Sequence, residues 1–284
     1  MTLHIFPDRP PPQKLREAVA QALPALDAPW HQLDGGRVNR LWRVGDTVIK
    51  QFADAGASPL FPNDPKAEAA ALVHLAPFEI APILLAQGKG WLAYRFSPGK
   101  PWVENSGNVA KALVRLHQTP VPAHGFRLGP NGSTQLLSQA RSIAAACSAS
   151  LPPPPPDAQV MPGPTHFIHG DAVPGNIIIQ NGRATLIDWQ CPAIGDPAED
   201  IATFLSPAMQ WLYRGAELDS DEIDRFRANC QPETISRYDR LAMILHWRMA
   251  AHCLWKSEHG ASDYAQAMHL ELRALERLAQ NNAP

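Results

Sequence analysis

The sequence lacks any run approaching the roughly 20 consecutive apolar residues that a membrane-spanning helix requires. It also lacks a dominant charge: 25 Lys and Arg stand against 27 Asp and Glu, for a formal net charge of -2. Without an excess of positive field, neither a phosphate backbone nor an anionic membrane surface is an expected partner, which sets nucleic acid and membrane aside. Cysteine is scarce. Cys147, Cys191, Cys230 and Cys253 show neither the close pairs of a zinc site nor the density of a disulfide scaffold, and they read as buried small hydrophobes in a reducing compartment. The opening residues carry three successive prolines, Pro10, Pro11 and Pro12, and no basic start followed by an apolar stretch, so no secretory leader is expected. These absences predict a soluble, cytoplasmic protein without internal repeats.

What is present is core-forming material, 45% hydrophobic residues in 284, at a length where one core begins to divide, so two lobes are expected. Residues 15–26 carry apolar side chains at helical spacing and predict an opening helix. From residue 30 the texture changes to short β-prone runs, with residues 41–44 and 47–52 flanking Gly45-Asp46 as a hairpin. A helix over 66–75 and strands over 83–85 and 91–96 complete a small lobe, and Ser97-Pro98-Gly99 breaks it. The expected division is therefore 1–96 and 97–284. The second part reads as mainly helical, over 109–117, 136–149 and 199–280, with a proline run at 152–156 as an extended connector. Ile177-Ile178-Ile179 and Ala184-Thr185-Leu186-Ile187 flank Asn181-Gly182, which favours the positive φ angles of a type I′ hairpin.

That hairpin separates two polar clusters. His169-Gly170-Asp171 with Asn176 precedes it, and Asp188 follows its second strand, so one loop and one strand end can converge. Phosphoryl transfer needs such groups: a carboxylate beside the attacking hydroxyl, and oxygen ligands for the hard cation that neutralises phosphate charge.

The segment from His169 to Asn176, followed by Leu186-Ile187-Asp188-Trp189, Gly195-Asp196-Pro197 and Asp200-Ile201-Ala202, resembles the aminoglycoside phosphotransferase and choline kinase superfamily, over roughly residues 30–260. The choline and thiamine kinase branches are nearest in look. The resemblance implies an α+β, protein-kinase-like two-lobe fold and an ATP- and magnesium-dependent kinase acting on a small molecule. It implies Asp171 as catalytic base, His169 orienting its loop, Asn176 and Asp188 holding magnesium, and Asp200 bracing the loop. Lys50 in a strand and Glu68 on the next helix resemble the lysine and glutamate pair that grips nucleotide phosphates. Gly35 and Gly36, in Gly-Gly-x-x-Asn ending at Asn39, resemble a phosphate-covering loop, and backbone around Tyr94 and Phe96 is placed at an adenine-binding hinge.

Two other classes are weighed against this. A pseudokinase scaffold would lack a lysine, base or metal ligand, all of which are present, and a protein kinase would need a peptide platform between Asp188 and Asp200, where little chain exists. Choline, ethanolamine, thiamine, aminoglycoside, sugar and homoserine acceptors all stay open. The grouping of Trp189, Trp211, Tyr213, Trp247 and Trp255 suggests aromatic faces for a cationic alcohol, with Glu199, Asp219 and Glu258 as candidate countercharges. Nothing in the sequence defines an oligomeric state.

Overall fold

The computed structural model describes residues 10–33, 37–53 and 57–281, and its fold is α+β. The first part is built on a five-stranded antiparallel sheet of β1 (Trp30–Leu33), β2 (Arg40–Val44), β3 (Thr47–Gln51), β4 (Leu84–Gly88) and β5 (Trp91–Arg95), in the order β1-β2-β3-β5-β4. The β2–β3 hairpin turns at Gly45, whose φ of 60° suits a residue without Cβ.

Strand alternation gives the two faces of this sheet different work. Trp42, Val44, Ile49, Trp91 and Ala93 pack with Leu15 and Val19 of α1 (Gln13–Ala22). Val48, Leu92 and Tyr94 point the other way, into a cluster with Leu72 and Leu75 of α2 (Pro65–Leu75). Lys50 shares the second face by its two-residue offset from Val48. Helix α2 starts where it does because the Asp64 carboxylate accepts the N–H groups of Lys66 and Ala67 at 2.8 and 3.1 Å, with Pro65 preset at the first turn.

The second part is mainly helical: α3 (Ser106–His117), α4 (Ser133–Ala145), α5 (Ala198–Leu205), α6 (Pro207–Arg214), α7 (Ser220–Ala228), α8 (Pro232–Glu258) and α9 (Asp263–Asn281). Two three-stranded sheets lie among the helices. One orders β6 (Lys100–Pro101), β9 (Ile177–Gln180) and β10 (Arg183–Leu186) as β10-β9-β6; the other orders β7 (Arg127–Leu128), β8 (His166–Ile168) and β11 (Ala193–Gly195) as β7-β11-β8. Strands of two or three residues hold too little pattern to read from sequence. The apolar cluster that begins at Val48 and Leu72 continues through Trp102, Leu113 and Leu116 to Phe167, Leu186, Phe204 and Leu241, so the core runs from the large sheet into the helices.

The β9–β10 hairpin turns at Asn181 and Gly182, with φ of 50° and 73°, as the Asn-Gly pair requires. The proline run is fastened at its start, where the Trp247 indole N–H donates to the Pro152 carbonyl at 2.9 Å. All four cysteines are free; Cys191 and Cys253 are buried as expected, whereas Cys147 and Cys230 are only half-buried.

Because Gly182 holds a left-handed conformation in open space, Gly182→Val adds backbone strain without a clash. It is expected to cost about 1–2 kcal/mol, read as a lower urea midpoint at unchanged slope.

Candidate active site

Three elements meet at Lys50. Strand alternation drives its ammonium inward, where it is wholly buried, and its Nζ lies 2.5 Å from the Glu68 carboxylate of α2. The same Nζ is paired with the Asp188 carboxylate, two residues beyond β10. Burial alone would strip the proton from this lysine, but Asp188 and then Glu68 outweigh it and hold its pKa above the ordinary value. Asp188 has a φ of 63°, unusual for a residue with a Cβ. The strained turn swings its carboxylate toward Lys50 immediately after the strand ends.

The loop after β8 is wired through its backbone. Asp200, fully buried near the start of α5, accepts the His169 N–H at 2.9 Å and the Gly170 N–H at 2.8 Å, and lies 2.9 Å from His117 Nε2. Burial pushes its pKa up, yet the hydrogen bond and charge of His117, with His169 adding to them, hold it below the ordinary value. Gly170 has a φ of 73°, and a Cβ there would meet the Cys191 carbonyl oxygen at 2.2 Å, so only glycine fits. His169 Nε2–H donates to the Ile187 carbonyl at 3.0 Å, while its Nδ1 accepts the Asp171 N–H at 3.2 Å. That pattern defines a neutral imidazole, and burial lowers its pKa accordingly. His169 therefore ties the loop after β8 to the strand end that carries Asp188.

Asn176 donates its Nδ2 to the Asp171 carbonyl at 2.9 Å and to the Asp171 carboxylate at 3.2 Å. Its Oδ1 is thereby turned away from Asp171. Burial, with the charge of Asp188 second, pushes the Asp171 carboxyl up to about 8. Positive charge placed beside Asp188 would bring it back down.

Asp171, Asn176 and Asp188 open onto a cleft with Arg37, Phe61, Met209, Tyr213, His252, Lys256 and Tyr264 among its other walls. Arg37, just past the double glycine, is clamped across the cleft: its guanidinium donates to Asp263 at 2.9 Å and to the Leu212 carbonyl at 3.0 Å. Tyr213 in turn explains Gly175, since a Cβ at that position would meet its ring at 2.3 Å. Gly35 and Gly36 lie outside the described residues. Asn39, expected near phosphate, is a buried tie: its amide N–H groups reach Asn63 and Gln190, both at 2.8 Å, and its oxygen accepts the Ala53 N–H at 3.0 Å.

Several expected residues are not brought to the cleft. Trp189 is fully buried beneath His169, with its N–H on the Leu186 carbonyl at 2.8 Å. Trp247 is buried under the proline run, and Trp255 stacks on His259 at 3.9 Å. Trp211 is half-buried against a separate part of the core. Their spacing reflects packing faces of helices, which is the commoner reason for an aromatic stripe. The candidate countercharges are also in use: Glu199 pairs with Arg248, Asp219 caps α7, and Glu258 accepts the N–H groups of Ser148 and Ala149. At the hinge, the Arg95 N–H donates to the Ile83 carbonyl at 2.8 Å and the Phe96 N–H to the Asp46 carbonyl at 2.7 Å. Tyr94 lies inside the sheet between β3 and β4. These two donors are spent on backbone carbonyls beside the sheet.

The walls contributed by Arg37, Phe61, His252, Lys256 and Tyr264 had no motif to announce them. The one legible signal is that His252 and Lys256 lie four residues apart on α8 and so share a face.

A buried lysine held by two carboxylates, a braced His-Gly-Asp loop and an Asn–Asp pair meet at one cleft of a protein-kinase-like fold. The profile of the phosphotransferase enzyme family (APH) matches residues 29–244, and the chain belongs to that family. Protein LicA of Haemophilus influenzae is 30% identical over 110 residues, 34% of this chain and 38% of LicA, so the chain spans well under two thirds of that relative. The choline kinase LicA of Streptococcus pneumoniae superposes with a TM-score of 0.63 at 17% identity, covering 94% of this chain and 100% of that one. The streptomycin–ATP–APH(2")-IIa ternary complex gives a TM-score of 0.63 at 12% identity, covering 87% and 91%. At such identities these likenesses are ones of fold.

Asp200→Asn leaves one backbone donor and His117 facing an amide, and is expected to lower stability by about 3 kcal/mol at pH 7. The depressed pKa of Asp200 stabilises the fold above the unfolded value near 4, a contribution lost as pH falls through the folded value. The difference between wild type and variant, measured by urea unfolding, should therefore shrink below about pH 4.

Proposed function

We propose that the protein transfers the γ-phosphoryl group of ATP, with magnesium, to a hydroxyl of a small molecule. The observation that carries this reading is the position of Asp171, whose carboxylate opens onto the cleft beside Asp188 and Asn176. A hydroxyl held there would pass its proton to Asp171 as its oxygen attacks phosphorus, and Lys50 would hold phosphate oxygens.

The residues fit a magnesium ion. Asn176 spends its amide N–H on Asp171, which leaves an oxygen for a hard cation, and Asp188 adds an anionic oxygen. Among the described residues no cluster of three or more His, Cys, Asp or Glu could hold a metal, so phosphate oxygens and water would complete the shell, as magnesium prefers. The chemistry that bound magnesium supplies is neutralisation of phosphate charge.

The finer question is the acceptor. Likeness to the choline kinase LicA of Streptococcus pneumoniae supports a cationic alcohol such as choline, and likeness to the streptomycin complex supports an aminoglycoside. The tryptophans that motivated a cation cage give that reading no support, because Trp189 and Trp247 are core residues.

Asp171→Ala is expected to lower kcat by at least about 10²-fold while leaving ATP affinity, read by isothermal titration, nearly intact. Near-normal turnover would remove Asp171 as the base. Asp188→Asn should instead shift the magnesium titration to higher concentration; a curve superimposing on wild type would count against its role as ligand.

A further inference from the structure

We propose that the acceptor is an anionic alcohol, whose carboxylate or phosphate is held at Lys256 while its hydroxyl faces Asp171. This rests on the kinase reading and names the substrate class of the same cleft.

The aromatic faces that would receive an external cation are already taken by the protein's own cations. Arg37 lies over Tyr213 and Tyr264, with its guanidinium carbon 5.2 and 5.4 Å from the ring centroids, and Lys256 Nζ lies 5.5 Å from the centroid of Tyr264. A choline-like head group entering here would find the rings already covered and would meet the like charge of Lys256, that of Arg37 being balanced by Asp263.

The two cations differ in what they still need. Arg37 is neutralised by Asp263 at 2.9 Å and further engaged by the Leu212 carbonyl. Lys256 has no hydrogen bond or ion pair from its ammonium among the described residues, although it is half-buried in the cleft wall. Burial and the neighbouring Arg37 both lower its pKa, with Asp263 opposing them, which is the state an incoming anion relieves. A second polar group in the same wall is also unsatisfied. His252, one turn before Lys256 on α8, is 2% exposed and its Nδ1 has no partner. Its ring is fixed edge-on by Phe61 at 4.8 Å and Tyr264 at 5.9 Å. Burial lowers its pKa to about 3, so it is a neutral hydrogen-bonding group. The free ammonium is the group that binds an oxyanion, and the imidazole Nδ1, closed off from solvent without a partner, leaves the adjoining wall short of a hydrogen bond.

In the transfer, the acceptor hydroxyl oxygen forms a bond to the γ-phosphorus and the bond from that phosphorus to the β,γ-bridging oxygen breaks. The hydroxyl proton passes to Asp171, and the electron pair leaves on ADP. Lys256 takes no part in these bond changes and acts as a binding residue for the far end of the acceptor.

The test measures the melting temperature of the full chain with magnesium and the non-hydrolysable analogue AMP-PNP, then adds two matched acceptor sets. The first set is glycerate, glycerol 3-phosphate, glycerol and choline; the second is gluconate, glucose 6-phosphate, glucose and glucosamine. A rise with AMP-PNP and magnesium alone tests the kinase reading, and its absence overturns that reading separately. The inference expects a further rise of several degrees with an anionic member of at least one set and none with its neutral or cationic counterparts. Carboxylate and phosphate members tell the two anion sources apart. With Lys256→Gln the anion-dependent rise should be lost, and Lys256→Arg should retain most of it. Equal or greater stabilisation by choline or glucosamine, stabilisation by no anionic member, or persistence of the anion effect in Lys256→Gln would overturn the proposal. So would a loss confined to AMP-PNP binding in that variant, which would assign Lys256 to the nucleotide.

Discussion

The ion pairs of Lys50 with Glu68 and Asp188 join the large sheet, the helix α2 between its strands β3 and β4, and the end of the β9–β10 hairpin. A buried ammonium without partners would be strongly destabilising, and its two carboxylates are acceptable only together with it. The requirement reaches outward from there. Helix α2 must begin at its Asp64 cap to present Glu68, and the hairpin must turn at Asn181-Gly182 to present Asp188. The left-handed backbone of Asp188 is one local cost of this convergence.

Asp200 does for the loop after β8 what Lys50 does for the strand end. It is a single buried carboxylate whose acceptors are filled by two consecutive backbone N–H groups and one histidine. Backbone hydrogen bonds to a charged group are strong and directional, so the His169-Gly170-Asp171 turn has one conformation before any ligand arrives. His169, neutral and donating to the Ile187 carbonyl, then fixes this turn against the segment leading to Asp188. Asp171 and Asp188 are positioned by the same short chain of contacts.

The far wall of the cleft obeys a different rule. Its residues come from the loop at Arg37 and from α6, α8 and α9, and no short motif relates them. The loop and hairpin that carry Asp171, Asn176 and Asp188 form one side of the cleft, and the opposite wall is built from elements that share no motif with them. Here that wall carries Arg37, neutralised across the cleft, and Lys256, which is not.

Much of this was determined by sequence alone. The pattern of the loop and hairpin placed Asp171, Asn176 and Asp188 near one another, because a type I′ turn of Asn and Gly leaves few ways for its flanking strands to run. The alternation around Val48 and Ile49 sent Lys50 inward for an equally local reason. Local chemistry could not decide which aromatic residues face a ligand. Trp247 and Trp255 share a helix face whether that face packs on a core or lines a cage, and only the approach of other elements distinguishes the two. The same holds for the hinge, where the Arg95 and Phe96 donors are consumed by the neighbouring Ile83 and Asp46 carbonyls. Nor could residue type tell a paired cation from an unpaired one. Arg37 finds Asp263 from 226 residues away, and Lys256 makes no contact ion pair among the described residues, Asp263 acting on it only at longer range. The sequence fold by fold specifies the local turns and strand faces, whereas pairing between distant charges is settled only when the chain packs and brings them within reach of one another.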